Sequence, residues 1–140
     1  MGIILCATRG GEASNRTQDK AIALAKERGD TLLFLYVVDL RFLEKTAAPI
    51  VVDVEDEVHD MGEFLLLMAK ERAAEQGIEA RTVCRRGKVR EEIKKCAVEE
   101  GVTLIVLGQP SGKESAFQLA NLEAFANEIE EETGIETVIV

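Results

Sequence analysis

The chain has 140 residues, 46% apolar and 31% charged, with a net charge of −9. That length suits one domain, 1–140, able to bury most of its apolar surface, and the balance is too apolar for disorder. The negative charge argues against diffuse binding to nucleic acid or anionic lipid, and no apolar run approaches the ~20 residues of a membrane-spanning helix.

The opening run, Ile3 to Ala7, has no basic segment before it and reads as a first strand, not a signal peptide. A first helix follows, with Ala21, Ile22 and Ala25 on one face; Asn15 and Gln18 have the spacing of a capping box. Gly29 ends it, and the apolar run Thr31 to Val38 predicts the second strand. Leu40 to Val52, containing Pro49, reads as a long loop. The second helix carries Val54, Val58, Met61, Leu65 and Met68 at helical spacing. Gly77 closes it, and Ile78 to Cys84 predicts the third strand.

Val89, Ile93, Cys96 and Ala97 mark a third helix ending at Gly101. Val102 to Leu107 is the fourth strand. Leu119, Leu122, Ala126 and Ile129 mark the fourth helix, Gly134 stops it, and Ile135 to Val140 is the fifth strand. Strict alternation predicts an α/β fold with a single open parallel sheet and helices on both faces. Near-continuous apolar strands such as Leu32 to Val38 are what burial on both faces requires. Cys6, Cys84 and Cys96 form no C-x-x-C pair and read as small buried hydrophobes in a reducing compartment. The cytoplasm is therefore the expected location.

Ligands of open parallel sheets bind beyond the carboxyl ends of the strands. Three segments fall there: Ala7 to Ser14, Arg85 to Lys88, and Gly108 to Lys113. Each combines glycine, whose backbone N–H groups can converge on an anion, with Arg or Lys. The catalytic inventory is thin, so the chain leans away from being an enzyme. His59 has no spaced His or Cys partner, and no metal site is expected. No G-x-S-x-G, Walker or G-x-G-x-x-G sequence occurs. The acidic end of the fourth helix, Glu128 to Glu132, opposes the helix dipole and reads as a solvated surface or as a face for a basic protein partner.

Several stretches, taken in order, resemble the universal stress protein family over nearly the whole chain. They are Ile3 to Thr8, Ala21 to Gly29 with Leu33 to Asp39, Arg86 to Ile93, and Glu99 to Gly108, the last similar to the family's A-D-L-I-V-M-G stretch. The resemblance implies a five-stranded sheet ordered 3-2-1-4-5, of the adenine-nucleotide alpha-hydrolase-like kind. It also implies a homodimer, often paired through the last strand, here Ile135 to Val140. Many members bind ATP or AMP between the first and fourth strands. Taken from the strand-end loops and from the resemblance together, the nucleotide- or anion-binding candidates are Ala7, Thr8, Arg9, Val37, Arg86, Gly87, Lys88, Leu107, Gly108, Ser111, Gly112 and Lys113.

The chain departs from the family's G-x-x-G-x9-G-[S/T] motif. Gly108 holds the first position, Ser111 the second, and Gly112 comes one residue late. Asn121-Leu122 or Leu122-Glu123 stands where the closing Gly-Ser/Thr belongs, and Thr8-Arg9 replaces the usual Thr-Asp. Two functions follow. One is a stress-response-type regulatory or scaffold protein that is not a standard ATP binder and has no fixed cofactor. The other is a nucleotide- or phosphate-binding sensor with more cationic contacts, taking ATP or AMP.

Overall fold

A computed structural model describes residues 2–8, 12–38, 48–109 and 115–140. Strands and helices alternate through them: β1 (Ile3–Ala7), α1 (Glu12–Arg28), β2 (Thr31–Val38), α2 (Ala48–Glu75), β3 (Ala80–Arg86), α3 (Val89–Glu99), β4 (Leu104–Leu107), α4 (Ser115–Thr133) and β5 (Glu136–Ile139). The sheet is ordered β3-β2-β1-β4-β5. Every pairing is parallel, with Cys6 opposite Phe34 on one side and Val106 on the other. The fold class and strand order inferred from the sequence are therefore those observed. No helix among the described residues is long and apolar enough to cross a membrane.

The helix-stopping glycines work as their positions imply. At Gly101, φ is 68°. The Gly101 N–H donates to the Val98 carbonyl and the Val102 N–H to the Ala97 carbonyl, the paired bonds of a Schellman end. The same closure places Val102 outside the β4 ladder, which is why β4 begins two residues later than the apolar run suggests.

Strand alternation divides the core into two layers. Ile4, Cys6, Leu32, Phe34, Leu104 and Val106 pack with Ala21, Ile22 and Ala25 of α1 and with Leu66, Ala69 and Ala73 of α2. Leu5, Leu33, Leu35, Ile105 and Leu107 pack with Ile93, Cys96 and Ala97 of α3 and with Phe125 and Ile129 of α4. Arg90 of α3 lies over the Phe125 ring, 5.2 Å from its centroid. Cys6 and Cys96 are buried free thiols, and burial pushes the Cys6 thiol up to about 12. Cys84 is also free but half-buried.

Four local expectations change. The α2 stripe through Met61 and Met68 is not the core face, since these side chains are 53% and 51% exposed. The core face is one position round the helix, at Gly62, Leu66, Ala69 and Ala73. Small residues let α2 approach the sheet, whereas the apolar run from Phe64 to Met68 blurs the periodic signal. Asn15 and Gln18 are not a capping box: α1 already begins at Glu12, and Gln18 is buried. β3 runs Ala80 to Arg86, so Arg85 and Arg86 belong to the strand and not to the loop after it. The predicted Leu40 to Val52 loop lies partly outside the described residues, and its Pro49 sits in the first turn of α2, where a missing N–H costs no helix bond.

Candidate functional site

The strand order reverses between β1 and β4, whose chain-wise neighbours lie on opposite sides, and ligand crevices form at such points. β1 hands over to Thr8, whose N–H donates to the Leu35 carbonyl at 2.9 Å. The Thr8 side chain is buried and accepts a 2.8 Å hydrogen bond from Gln18 Nε2 of α1. One residue earlier on α1, Thr17 is also buried. It lies on Gly108, where an added Cβ would meet Thr17 Oγ1 at 2.4 Å. Two consecutive α1 side chains thus rest on the carboxyl ends of β1 and β4. Beyond Gly108, the Gln109 N–H donates to the Val140 carbonyl at 2.8 Å.

β2 and β3 run further than β1. The β1–β2 register ends at Ala7 and Leu35, while the β2–β3 register continues to Val38 and Arg86. Three more residues at the strand rise give an overhang of about 10 Å. Val37 stands on that overhang, packed with the α3/α4 layer, as are Ala7 and Leu107. Arg86, Gly87 and Lys88 lie at the β3 end, two strands and about 10 Å to the side of β1. Gly87 has φ 145°, and its N–H donates to the Val38 carbonyl. Lys88 is exposed at the N-cap of α3. Arg9, Ser111, Gly112 and Lys113 lie outside the described residues.

Of the predicted site residues, the structure brings Ala7, Thr8, Leu107 and Gly108 together, with Val37 beside them, and sets Arg86, Gly87 and Lys88 apart. Arg85 holds the sheet to α3: its guanidinium pairs with Glu99 at 2.5 Å and Glu92 at 3.6 Å. The hydrogen bond to Glu99 raises the Arg85 pKa, and the same bond lowers that of Glu99. At the acidic end of α4, Lys94 of α3 reaches Glu132 at 2.8 Å and Glu128 at 3.5 Å. Part of that negative face is therefore spent inside the molecule.

Thr17 and Gln18 were missed from the sequence. A polar pair on the inner face of an otherwise apolar stripe, beside Ala21, Ile22 and Ala25, is the signal that could have found them. His59 of α2, read from the sequence as lacking a partner, lies beside Glu63 and Cys84 of β3, with donor atoms of all three within 4.8 Å of one another.

The sequence matches the universal stress protein family over residues 1–138. The chain belongs to that family. The match is reinforced by universal stress protein YxiE of Bacillus subtilis (strain 168), 34% identical over 113 residues, covering 75% of this chain and 76% of that protein. Among solved structures, a universal stress protein family member from Burkholderia pseudomallei has a TM-score of 0.73 at 23% identity, over 99% of this chain and 95% of that one. A universal stress protein in complex with cAMP has a TM-score of 0.70 at 18% identity, over 99% and 96%. At these identities the structural likenesses show the fold. In this universal stress protein, Thr8 and Gly108 stand at the strand-order reversal of the sheet.

Proposed function

We propose that this universal stress protein is a stress-response-type regulatory or scaffold protein, dimeric through β5, that does not hold ATP in the family's standard manner. The observation that carries the reading is α1 lying on the ends of β1 and β4. Glycine after such a strand leaves room for a phosphate to reach backbone N–H groups. Here the space a Cβ would take at Gly108 is filled by the Thr17 hydroxyl, and the Thr8 hydroxyl is engaged by Gln18. This packing supports a crevice that lacks the family's standard nucleotide contacts.

The motif's closing position supports the same reading. Asn121, Leu122 and Glu123 lie inside α4, with Leu122 packed against the α3/α4 layer of the core. A leucine committed to the core presents neither a glycine backbone nor a hydroxyl. The dimer surface is suggested by β5 standing at the sheet edge, since an unpaired strand edge invites pairing.

A second reading, a nucleotide or phosphate sensor, is favoured by the cAMP complex among the structural neighbours and by the cationic Arg86-Gly87-Lys88 turn. The two are separated by mass spectrometry of the purified protein for carried nucleotide, followed by calorimetric titration with ATP, AMP and phosphate. Absence of nucleotide and of heat up to millimolar ligand supports the scaffold. Saturable binding that Arg9→Ala and Lys113→Ala abolish supports the sensor.

A further inference from the structure

A second constellation lies away from the crevice, on the α1/α2 side of the sheet. His59 and Glu63 are four residues apart on α2, so they project from the same helix face. Cys84 is on β3, opposite Tyr36 of β2 in the strand register. The Tyr36 ring presses on Gly62, between the two helix residues in sequence, where an added Cβ would lie 2.5 Å from Cδ1. Only glycine lets this turn of α2 come so near the sheet, and that approach brings the helix pair to the thiol.

We propose that His59, Glu63 and Cys84 form a Zn2+ site with three protein ligands and a fourth position left to water. One nitrogen, one oxygen and one sulfur donor make a borderline-soft set, which suits zinc and not the oxygen-seeking magnesium or calcium. His59 Nε2 and Glu63 Oε1 are 3.6 Å apart. Tetrahedral zinc with ordinary bond lengths sets its donors roughly 3.3–3.8 Å apart. The donor atoms of the whole trio lie within 4.8 Å of one another, so an ion would have to draw the helix pair and Cys84 together by up to about 1 Å.

Asp60 Oδ1 lies 3.8 Å from His59 Nδ1, beyond hydrogen-bond distance, and adds only a nearby negative charge. Arg86, on the same strand face as Cys84, is the opposing charge. With the thiol ionised, Cys84, Glu63 and Asp60 supply three negative charges against that one. Cys84 is held protonated by partial burial and by Glu63, with Arg86 pulling the other way. On binding, the thiol proton passes to solvent as the sulfur–zinc bond forms.

This site is independent of the scaffold reading. The test is titration of the reduced, chelator-dialysed full chain with Co2+, a spectroscopic stand-in, followed by Zn2+. The expected result is a near-ultraviolet thiolate-to-cobalt band with intense tetrahedral visible bands, saturating at one ion per chain and erased by Zn2+. Cys84→Ser removes the ultraviolet band. Glu63→Gln, at an exposed position that spares the fold, weakens binding by about tenfold or more. No thiolate band up to millimolar Co2+ overturns the site. So does a band that persists in Cys84→Ser, which would move the metal to Cys6 or Cys96, or an affinity unchanged in Glu63→Gln.

Discussion

Thr17 Oγ1 stands where a side chain at Gly108 would have to go, 2.4 Å from the ideal Cβ position. This contact seats α1 on the end of β4. Gly108→Ala is expected to destabilise the protein by about 1–3 kcal/mol through overpacking. Removing the obstructing hydroxyl and methyl in Thr17→Ala should relieve part of that cost. The double variant should therefore be less unstable than the sum of the singles by about 1 kcal/mol. Urea denaturation of the three variants measures the coupling, and strict additivity would deny the contact.

The buried Gln18 side chain donates to Thr8 with 2.8 Å geometry. Gln18→Leu keeps the bulk but leaves Thr8 without its donor and is expected to cost about 1–3 kcal/mol. Chemical denaturation checks it. A stability equal to wild type would mean that the hydrogen bond is not what holds α1 here.

Acid should loosen the bond between β3 and α3. The Arg85 guanidinium, hydrogen-bonded to Glu99, holds that carboxyl below its ordinary value of 4.5. A depressed folded pKa contributes stability that is complete above about 4.5 and is lost as pH falls through the lower folded value. Glu99→Gln should flatten the part of the stability profile that falls away as pH drops below 4.5. Midpoints of urea unfolding across this range decide it. Glu99 is exposed, so the effect is a change of slope and not a collapse.

The proposed dimer can be challenged at one amide. Val140 donates inward to Leu107, so by alternation the amides of Thr137 and Ile139 face away from β4. Thr137 N–H is engaged by Glu130 Oε1 at 3.0 Å. Ile139→Pro removes the other outward donor and leaves the β4 ladder bonds in place. Light scattering after size exclusion should show a dimer for wild type and a monomer for the variant. A wild-type monomer, or a variant that stays dimeric, contradicts pairing through β5.

Much of the architecture was legible because its signals are local. Glycines after each helix and β-branched runs after each glycine mark where the chain turns, and Gly101 closes α3 by the bonds its position implies. The core faces of α1, α3 and α4 follow from the spacing of Ala21, Ile22 and Ala25, of Ile93, Cys96 and Ala97, and of Ala126 and Ile129. The α2 face was not legible, because its core contacts use Gly62, Ala69 and Ala73, which carry little hydrophobic signal, while Met61 and Met68 stay in solvent. The approach of Cys84 to His59 was hidden for a related reason. It depends on Tyr36 seating against Gly62, a contact between elements that no spacing within either reveals. Ala7, Thr8, Leu107 and Gly108 follow neighbouring strands and so lie together, whereas Arg86, Gly87 and Lys88 follow β3, whose distance from β1 is set by the strand order and not by any spacing along the chain.

The central claim is that this chain does not hold ATP in the family's standard manner at the ends of β1 and β4. Its most direct test is an amide NMR titration of the isotope-labelled protein with ATP, following the signals of Thr8 and Gly108. The account predicts that neither signal moves up to millimolar ATP. Saturable shifts at both, with micromolar half-saturation, would contradict it.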